Sequence, residues 1–259
     1  MTQVEFLKLP DRSKNKRTFG VTSIVDFGIS IGELKHILQD YHQFIDIAKI
    51  GIGSAYVTPN IREKVQLYQS YGIHPYCGGT LFEKFYFQGK VDEYLQFLKG
   101  LGIDWIEIST GILDIPIEER INLVRKCKED FHVIGEVGSK DVNKEMPIIQ
   151  WQEEMEALIS AGCKYVIAEG RDSGTSGIYH SDGEVKENLV LHVVEKIDYK
   201  NIIFEAPTPK SQMFFINHLG ANVNLGNVKI HDVLLLEAQR CGLRSETFYL
   251  EERECESLS

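Results

Sequence analysis

No CxxC pair occurs in the 259 residues, and the five cysteines, Cys77, Cys127, Cys163, Cys241 and Cys255, are odd in number and widely scattered. That pattern argues against a disulfide framework or a zinc site, and reduced thiols in a cytoplasmic protein are expected. Long apolar runs are lacking too. No stretch reaches the length that spans a bilayer, and the polar residues 1–17 contain nothing like the apolar core of a secretion signal. Positive charge is scarce: 28 Lys and Arg face 38 Asp and Glu, for a formal net charge of -10. Nucleic-acid partners need clustered basic residues, so neither nucleic acid nor a membrane is expected as a partner. A small anionic substrate stays compatible, because it needs only a local group of donors. The eight histidines show no HExxH and no paired ligand spacing. Linker-like Pro/Ser-rich tracts are absent as well. Residues 1–259 are therefore expected to form one domain, with a short polar N-terminal segment (about 1–17) and an acidic tail (about 250–259).

Hydrophobic residues make up 43% of the chain, ample for a core. They recur as a strand-like run followed by an amphipathic segment. Strands are expected at 18–27, 44–50, 73–77, 105–108, 131–137, 165–169, 202–206 and 223–225. Ile31, Leu34, Leu38 and Tyr41 follow the first at helical spacing. Ile61, Val65 and Tyr68 follow the second, behind Thr58 and Pro59 as N-cap and first helical residue. Further helical faces fall at 91–98, 117–127, 151–159 and 187–194, at Met213, Phe214 and Asn217, and at 231–240. Eight alternations imply a parallel sheet with crossover helices, which at this length closes most economically into a single (β/α)8 TIM barrel. The open doubly wound alternative lacks its GxGxxG fingerprint after the first strand.

Barrel chemistry sits at the C-terminal ends of the strands. In order, those ends carry Asp26 and Gly28; Lys49; Gly78, Gly79 and Thr80; Glu107 and Ser109; and Glu136, Ser139 and Lys140. The last three carry Glu169 and Arg171 ahead of a loop with Gly174 and Gly177; Glu205; and Asn224, Gly226 and Asn227. The carboxylates of Glu107, Glu136, Glu169 and Glu205 cannot share one pocket without a cation. A hard divalent ion, Mg²⁺ above all, suits oxygen ligands, and Lys49, Lys140 and Arg171 are the other positive charges at hand. An ion-pair ring bracing the mouth is the structural counterpart of that reading. Glu205 is equally placed to bond the turn at Ala206 and Pro207, and Gly78 to Thr80 reads either as a tight connection or as an anion nest. The aromatic run Phe82, Phe85, Tyr86 and Phe87 is expected at an interface or as a cap over the barrel.

Several stretches match a known pattern: GGTLFEK (78–84), IEIS (106–109), EVGSKD (136–141), EGRDSGTSGI (169–178), FEAP (204–207), VNLGN (223–227) and LLEAQRCGLRSETF (235–248). They resemble phosphosulfolactate synthases in the same order over residues 19–248. The resemblance implies a (β/α)8 barrel with Mg²⁺ as cofactor, and a homo-oligomeric carbon–sulfur lyase-type enzyme. The implied reaction adds sulfite to phosphoenolpyruvate and gives 2-O-phospho-3-sulfolactate, a precursor in coenzyme M synthesis in methanogens and of sulfolactate in some spore-forming bacteria. On that footing Glu107, Glu136 and Glu169 are expected as metal ligands. Lys140 is expected as the general acid, Arg171 as a bidentate clamp and Lys49 as the charge that neutralises substrate or guides sulfite. Gly78, Gly79, Thr80, Ser109, Gly174, Asn224, Gly226 and Asn227 are expected to line the substrate and phosphate site.

The chain reads as a divergent member. Phe27 stands where members commonly have Lys or Asn between Asp and Gly, and Thr110 where Asp or Asn is common. Ser54 and Ala55 follow Gly53 where members have Thr and Ser. Two alternatives stay open: a related barrel enzyme using another nucleophile or another enol phosphate, and a non-catalytic, stress-associated homologue of the kind found in plants.

Overall fold

The computed structural model describes residues 7–14, 16–139 and 145–250. Its strands are β1 (Thr22–Asp26), β2 (Ile47–Ile50), β3 (His74–Cys77), β4 (Trp105–Ile108), β5 (His132–Val137), β6 (Tyr165–Ala168), β7 (Ile202–Glu205) and β8 (Asn224–Lys229). Its helices are α1 (Ile31–Tyr41), α2 (Ser54–Val57), α3 (Ile61–Ser70), α4 (Gly79–Phe87), α5 (Val91–Leu101), α6 (Ile117–Cys127), α7 (Ile148–Ala161), α8 (Glu187–Lys196), α9 (Pro209–Leu219) and α10 (Val233–Arg240). The strands pair in parallel in the order β3-β2-β1-β8-β7-β6-β5-β4, and β3 comes back beside β4. One sheet thus rolls into a nearly closed (β/α)8 barrel, the architecture that the repeated strand–helix pattern implies.

A single alternation builds both the core and the mouth. Successive side chains on a strand point to opposite faces. Ile47, Trp105, Ile134, Ile167 and Ile203 face inward and, with Tyr76 and Tyr165, form an apolar plug. Two residues further along the same strands, the same face carries Lys49, Glu107, Glu136, Glu169 and Glu205, all buried. The residues between them, among them Ala48, Ile106, Ala168 and Phe204, face outward into the shell of helices. There they meet the apolar stripes of those helices, for example Leu34 and Leu38 of α1, Val65 and Tyr68 of α3, and Met155 and Leu158 of α7. Each fully buried Leu, Ile or Phe contributes roughly 1.5–3 kcal/mol relative to exposure.

Three local expectations are corrected. Thr58 closes α2, its hydroxyl donating to the Ser54 carbonyl at 2.8 Å, and α3 starts only at Ile61; the extra helical turn after Gly53 uses up the residues expected to cap α3. β8 continues to Lys229 through a bulge, since Thr22 pairs with Leu225 but Ile24 with Val228, and Asn227 takes a left-handed φ of 51°. The aromatic run does not cap the barrel, because it lies on α4 and packs into α5. The Phe82 and Tyr94 rings meet edge-on at 5.9 Å and Phe85 lies 5.2 Å from Tyr94, while Phe87 faces solvent.

At the opposite end, the polar N-terminal segment closes the barrel bottom. Arg12 donates to Glu237 and Asn222, each at 3.1 Å, Arg17 to Asp46 at 2.9 Å, and the Tyr165 hydroxyl to the Thr18 carbonyl at 2.8 Å. No helix among the described residues is long and apolar enough to cross a membrane. Cys77, Cys127, Cys163 and Cys241 are free thiols.

Candidate active site at the barrel mouth

Strand alternation delivers five charged side chains to one layer, and their contacts sort them into two groups. Lys49 reaches across from β2, its Nζ 3.1 Å from Glu205 Oε1 and 3.4 Å from Glu107 Oε2. Burial pulls the Lys49 pKa down, but the carboxylates of Glu107 and Glu205 outweigh it and hold the ammonium well above the ordinary lysine value of 10.5. Lys49 is therefore a fixed positive charge and not a proton donor at neutral pH. The second group is Glu136, Glu169 and Glu205, whose carboxylate oxygens lie within 4.8 Å of one another. Backbone amides orient two of these: Gly170 N–H donates to Glu205 Oε2 at 3.0 Å and Arg171 N–H to Glu169 Oε1 at 2.8 Å.

Three convergent carboxylates are a hard-oxygen donor set of the kind that suits Mg²⁺. The trio differs from the expected one. Glu107 faces Lys49 outside it, and Glu205 stands in its place, bonding the loop after β6 and not its own turn.

Further residues hold the rim. Gly177, at a φ of 58°, tolerates no side chain, since a Cβ there would run into the Glu169 carbonyl. Gly79 likewise leaves the start of α4 pressed against Glu107 and Ser109. Ser109 Oγ lies 2.9 Å from Glu136 Oε1. Gly78 is the N-cap of α4, and the loop bearing Gly174 folds against Pro207 at the end of β7. Gly226 pairs level with Glu205, and the adjacent Asn227, 5% exposed, presents a side-chain amide that bonds no other described residue. Arg171 is exposed, in a left-handed conformation with a φ of 63°.

One expected residue, Asn224, lies at the other end of the barrel. Asn224 opens β8, and its side chain donates to the Lys200 and Ile202 carbonyls and accepts from Val21 N–H at the barrel bottom. Strand polarity puts the first residue of a strand at the opposite face from its last, so Asn224 is a structural clasp and not a substrate ligand. Thr80 lines a cleft of about 710 Å³ with Tyr56, Glu83, Phe87 and Ile112. Thr110 turns its hydroxyl into its own loop, toward the Leu113 carbonyl at 2.8 Å. Phe27 lies over Gly51 at the rim. Lys140 lies outside the described residues.

Lys64 and Glu83 are among the buried ionisable residues that the sequence does not single out. Lys64 of α3 donates to both Asp26 oxygens, at 2.8 and 3.0 Å, and the Tyr68 hydroxyl joins at 3.0 Å. Glu83 of α4 accepts from Ser109 Oγ. Each had a visible signal: Lys64 stands in the stripe of Ile61, Val65 and Tyr68, and Glu83 follows directly on a buried Phe82.

With this geometry in view, comparison with known proteins is specific. Residues 10–246 match the family described as (2R)-phospho-3-sulfolactate synthase (ComA). The chain is 36% identical over 247 residues to the phosphosulfolactate synthase of Bacillus subtilis (strain 168), covering 94% of this chain and 98% of that one. It is 38% identical over 235 residues to the phosphosulfolactate synthase of Methanocaldococcus jannaschii, covering 88% and 94%. Among solved structures, 3-hexulose-6-phosphate synthase from Salmonella typhimurium aligns with a TM-score of 0.56 at 9% identity, over 85% of this chain and 99% of that one. At that identity the likeness speaks for the barrel fold alone.

Proposed function

The chain belongs to the phosphosulfolactate synthase family of enzymes, and from that premise we propose that it adds sulfite to phosphoenolpyruvate in a Mg²⁺-dependent reaction giving 2-O-phospho-3-sulfolactate. The observation that carries the reading is the trio of Glu136, Glu169 and Glu205, buried beside the Lys49 ammonium at the mouth. When bound, Mg²⁺ supplies a Lewis acid for an anionic oxygen of the substrate.

In this reading, the sulfur lone pair of sulfite forms a bond to C3. The C2–C3 π electrons move toward the substrate carboxylate, and C2 then takes a proton. Lys49 stabilises the charge that builds on the carboxylate, because its own charge is fixed in a water-poor layer before the reaction begins. Arg171 clamps phosphate or carboxylate from the rim. Asn227, the amides of the Gly174 to Gly177 loop and the start of α4 at Gly79 contribute neutral donors. Lys140 is the proton donor to C2. The setting is cytoplasmic, with reduced thiols.

Incubation with phosphoenolpyruvate, sulfite and Mg²⁺ tests the proposal. Both substrates should disappear in equal amounts without release of inorganic phosphate, and EDTA should stop the reaction. Absence of turnover with the metal present would overturn it. A second reading, in which the same carbon receives a different nucleophile, is favoured by Phe27 on Gly51 and by the inward turn of Thr110. A nucleophile screen at saturating phosphoenolpyruvate separates the two.

A further inference from the structure

Glu83 spends both carboxylate oxygens on a single neighbour, the loop after β4. Its Oε1 accepts from Ser109 Oγ at 2.8 Å, and its Oε2 accepts the amide hydrogens of Ile112 and Leu113 at 2.8 and 2.6 Å. The side chain is 2% exposed, so these are charge-assisted bonds in a dry environment, about twice as strong as neutral ones. Ser109 Oγ also lies 2.9 Å from Glu136 Oε1. A hydroxyl has one hydrogen to donate, and two carboxylate oxygens stand at almost equal distance from it. The Ser109 oxygen is thus held in a fixed position between a residue of α4 and a residue of the convergent trio. Gly79, with no room for a Cβ against Ser109, presses α4 onto the same hydroxyl.

We propose that Glu83 is a positioning residue that holds Ser109 against Glu136 and thereby fixes the orientation of that carboxylate for metal binding. It rests on the reading that Glu136, Glu169 and Glu205 hold the metal. Glu83 touches neither metal nor substrate, and it acts through one hydroxyl. Partners that orient a ligating carboxylate commonly change metal affinity 10- to 100-fold when removed.

The test uses Mn²⁺ as the metal probe on the full chain, its free concentration read by electron paramagnetic resonance, beside a thermal melt. Ser109→Ala removes the link to Glu136 and leaves the Glu83 bonds to Ile112 and Leu113 in place. Its Mn²⁺ affinity should fall about tenfold in a chain that still melts cooperatively, at a somewhat lower temperature because a buried carboxylate loses a hydrogen bond. Glu83→Ala should lose a similar factor, and the double variant no more than either alone, because both changes break one chain of contacts. Glu83→Gln, which can accept from the two amides through its oxygen and donate to Ser109 through its nitrogen, should recover most of the loss. Wild-type Mn²⁺ affinity in Ser109→Ala, or losses that add in the double variant, would overturn the role of Glu83. Failure of the wild-type chain to bind Mn²⁺ would instead remove the metal reading on which that role rests.

Discussion

The Lys49 ammonium and the Glu205 carboxylate meet at 3.1 Å inside the barrel, joining β2 to β7 across the mouth. The pair decides what Lys49 can do. Burial alone would favour the neutral amine, yet Glu107 and Glu205 together win, so the group stays charged throughout the physiological range. Lys49 is thus suited to stabilise developing negative charge and unsuited to exchange protons.

Replacing Lys49 with Met should leave two carboxylates facing each other without the cation between them. Breaking a buried pair by removing one partner costs about 3–5 kcal/mol, to be read from urea denaturation at pH 7. The pH dependence has a definite sign. A raised folded pKa contributes stability that is fully present below 10.5 and is lost as pH rises through the folded value. The wild-type chain should therefore lose this contribution only in strong alkali.

Asp26 offers a second buried pair, with Lys64 at 2.8 Å, the Tyr68 hydroxyl at 3.0 Å and the amides of Gly28 and Ile29 at 2.8 Å. It ties the loop after β1, which carries Phe27, to α3. Tyr68→Phe removes one hydrogen bond to a charged group and should cost about 1.5–3 kcal/mol. Asp26→Asn removes the counter-charge of a buried Lys64 and should cost more. The order of the two denaturation midpoints checks the assignment.

Two glycines in helices should respond to alanine with opposite signs. Gly100, in α5, has nothing within 4 Å of the place a Cβ would occupy, so Gly100→Ala should raise stability by about 0.5–1 kcal/mol through backbone entropy and propensity. Gly79, at the start of α4, would gain the same preference, but its Cβ would collide with Glu107 and Ser109. Overpacking costs about 1–3 kcal/mol, which outweighs the gain, and the collision lies in the candidate site. Gly79→Ala should therefore lower the melting temperature and reduce turnover at least tenfold.

The barrel was legible because its signal is periodic. Apolar runs of fixed spacing name the strands, and the same alternation puts Glu107, Glu136, Glu169 and Glu205 on the inner face two residues beyond Trp105, Ile134, Ile167 and Ile203. Cross-strand distances were not legible. No pattern along the chain reveals that Lys49 reaches Glu107 and Glu205 while Glu136 and Glu169 converge with Glu205. Asn224 was misplaced because a bulge at Asn227 lengthens β8 by several residues beyond its apolar start, moving the strand's first residue to the bottom. Lys64 and Glu83 were passed over because a charged residue within an apolar stripe looks solvated until its partner, Asp26 or Ser109, is seen opposite.

The two possible carboxylate sets make different predictions for metal binding. If Glu205 belongs to the ligand set and Glu107 serves Lys49, Glu205→Gln should weaken Mn²⁺ binding at least tenfold, since a neutral amide replaces one of three convergent carboxylates. Glu107→Gln should change it by no more than about threefold, because its effect reaches the ion only through the charge of Lys49. Both variants remove one negative charge from the same buried layer, so the general electrostatic loss is matched between them. What separates them is direct ligation. Equal losses would return Glu107 to the ligand set, and a larger loss for Glu107→Gln would require the trio at the mouth to be redrawn around β4.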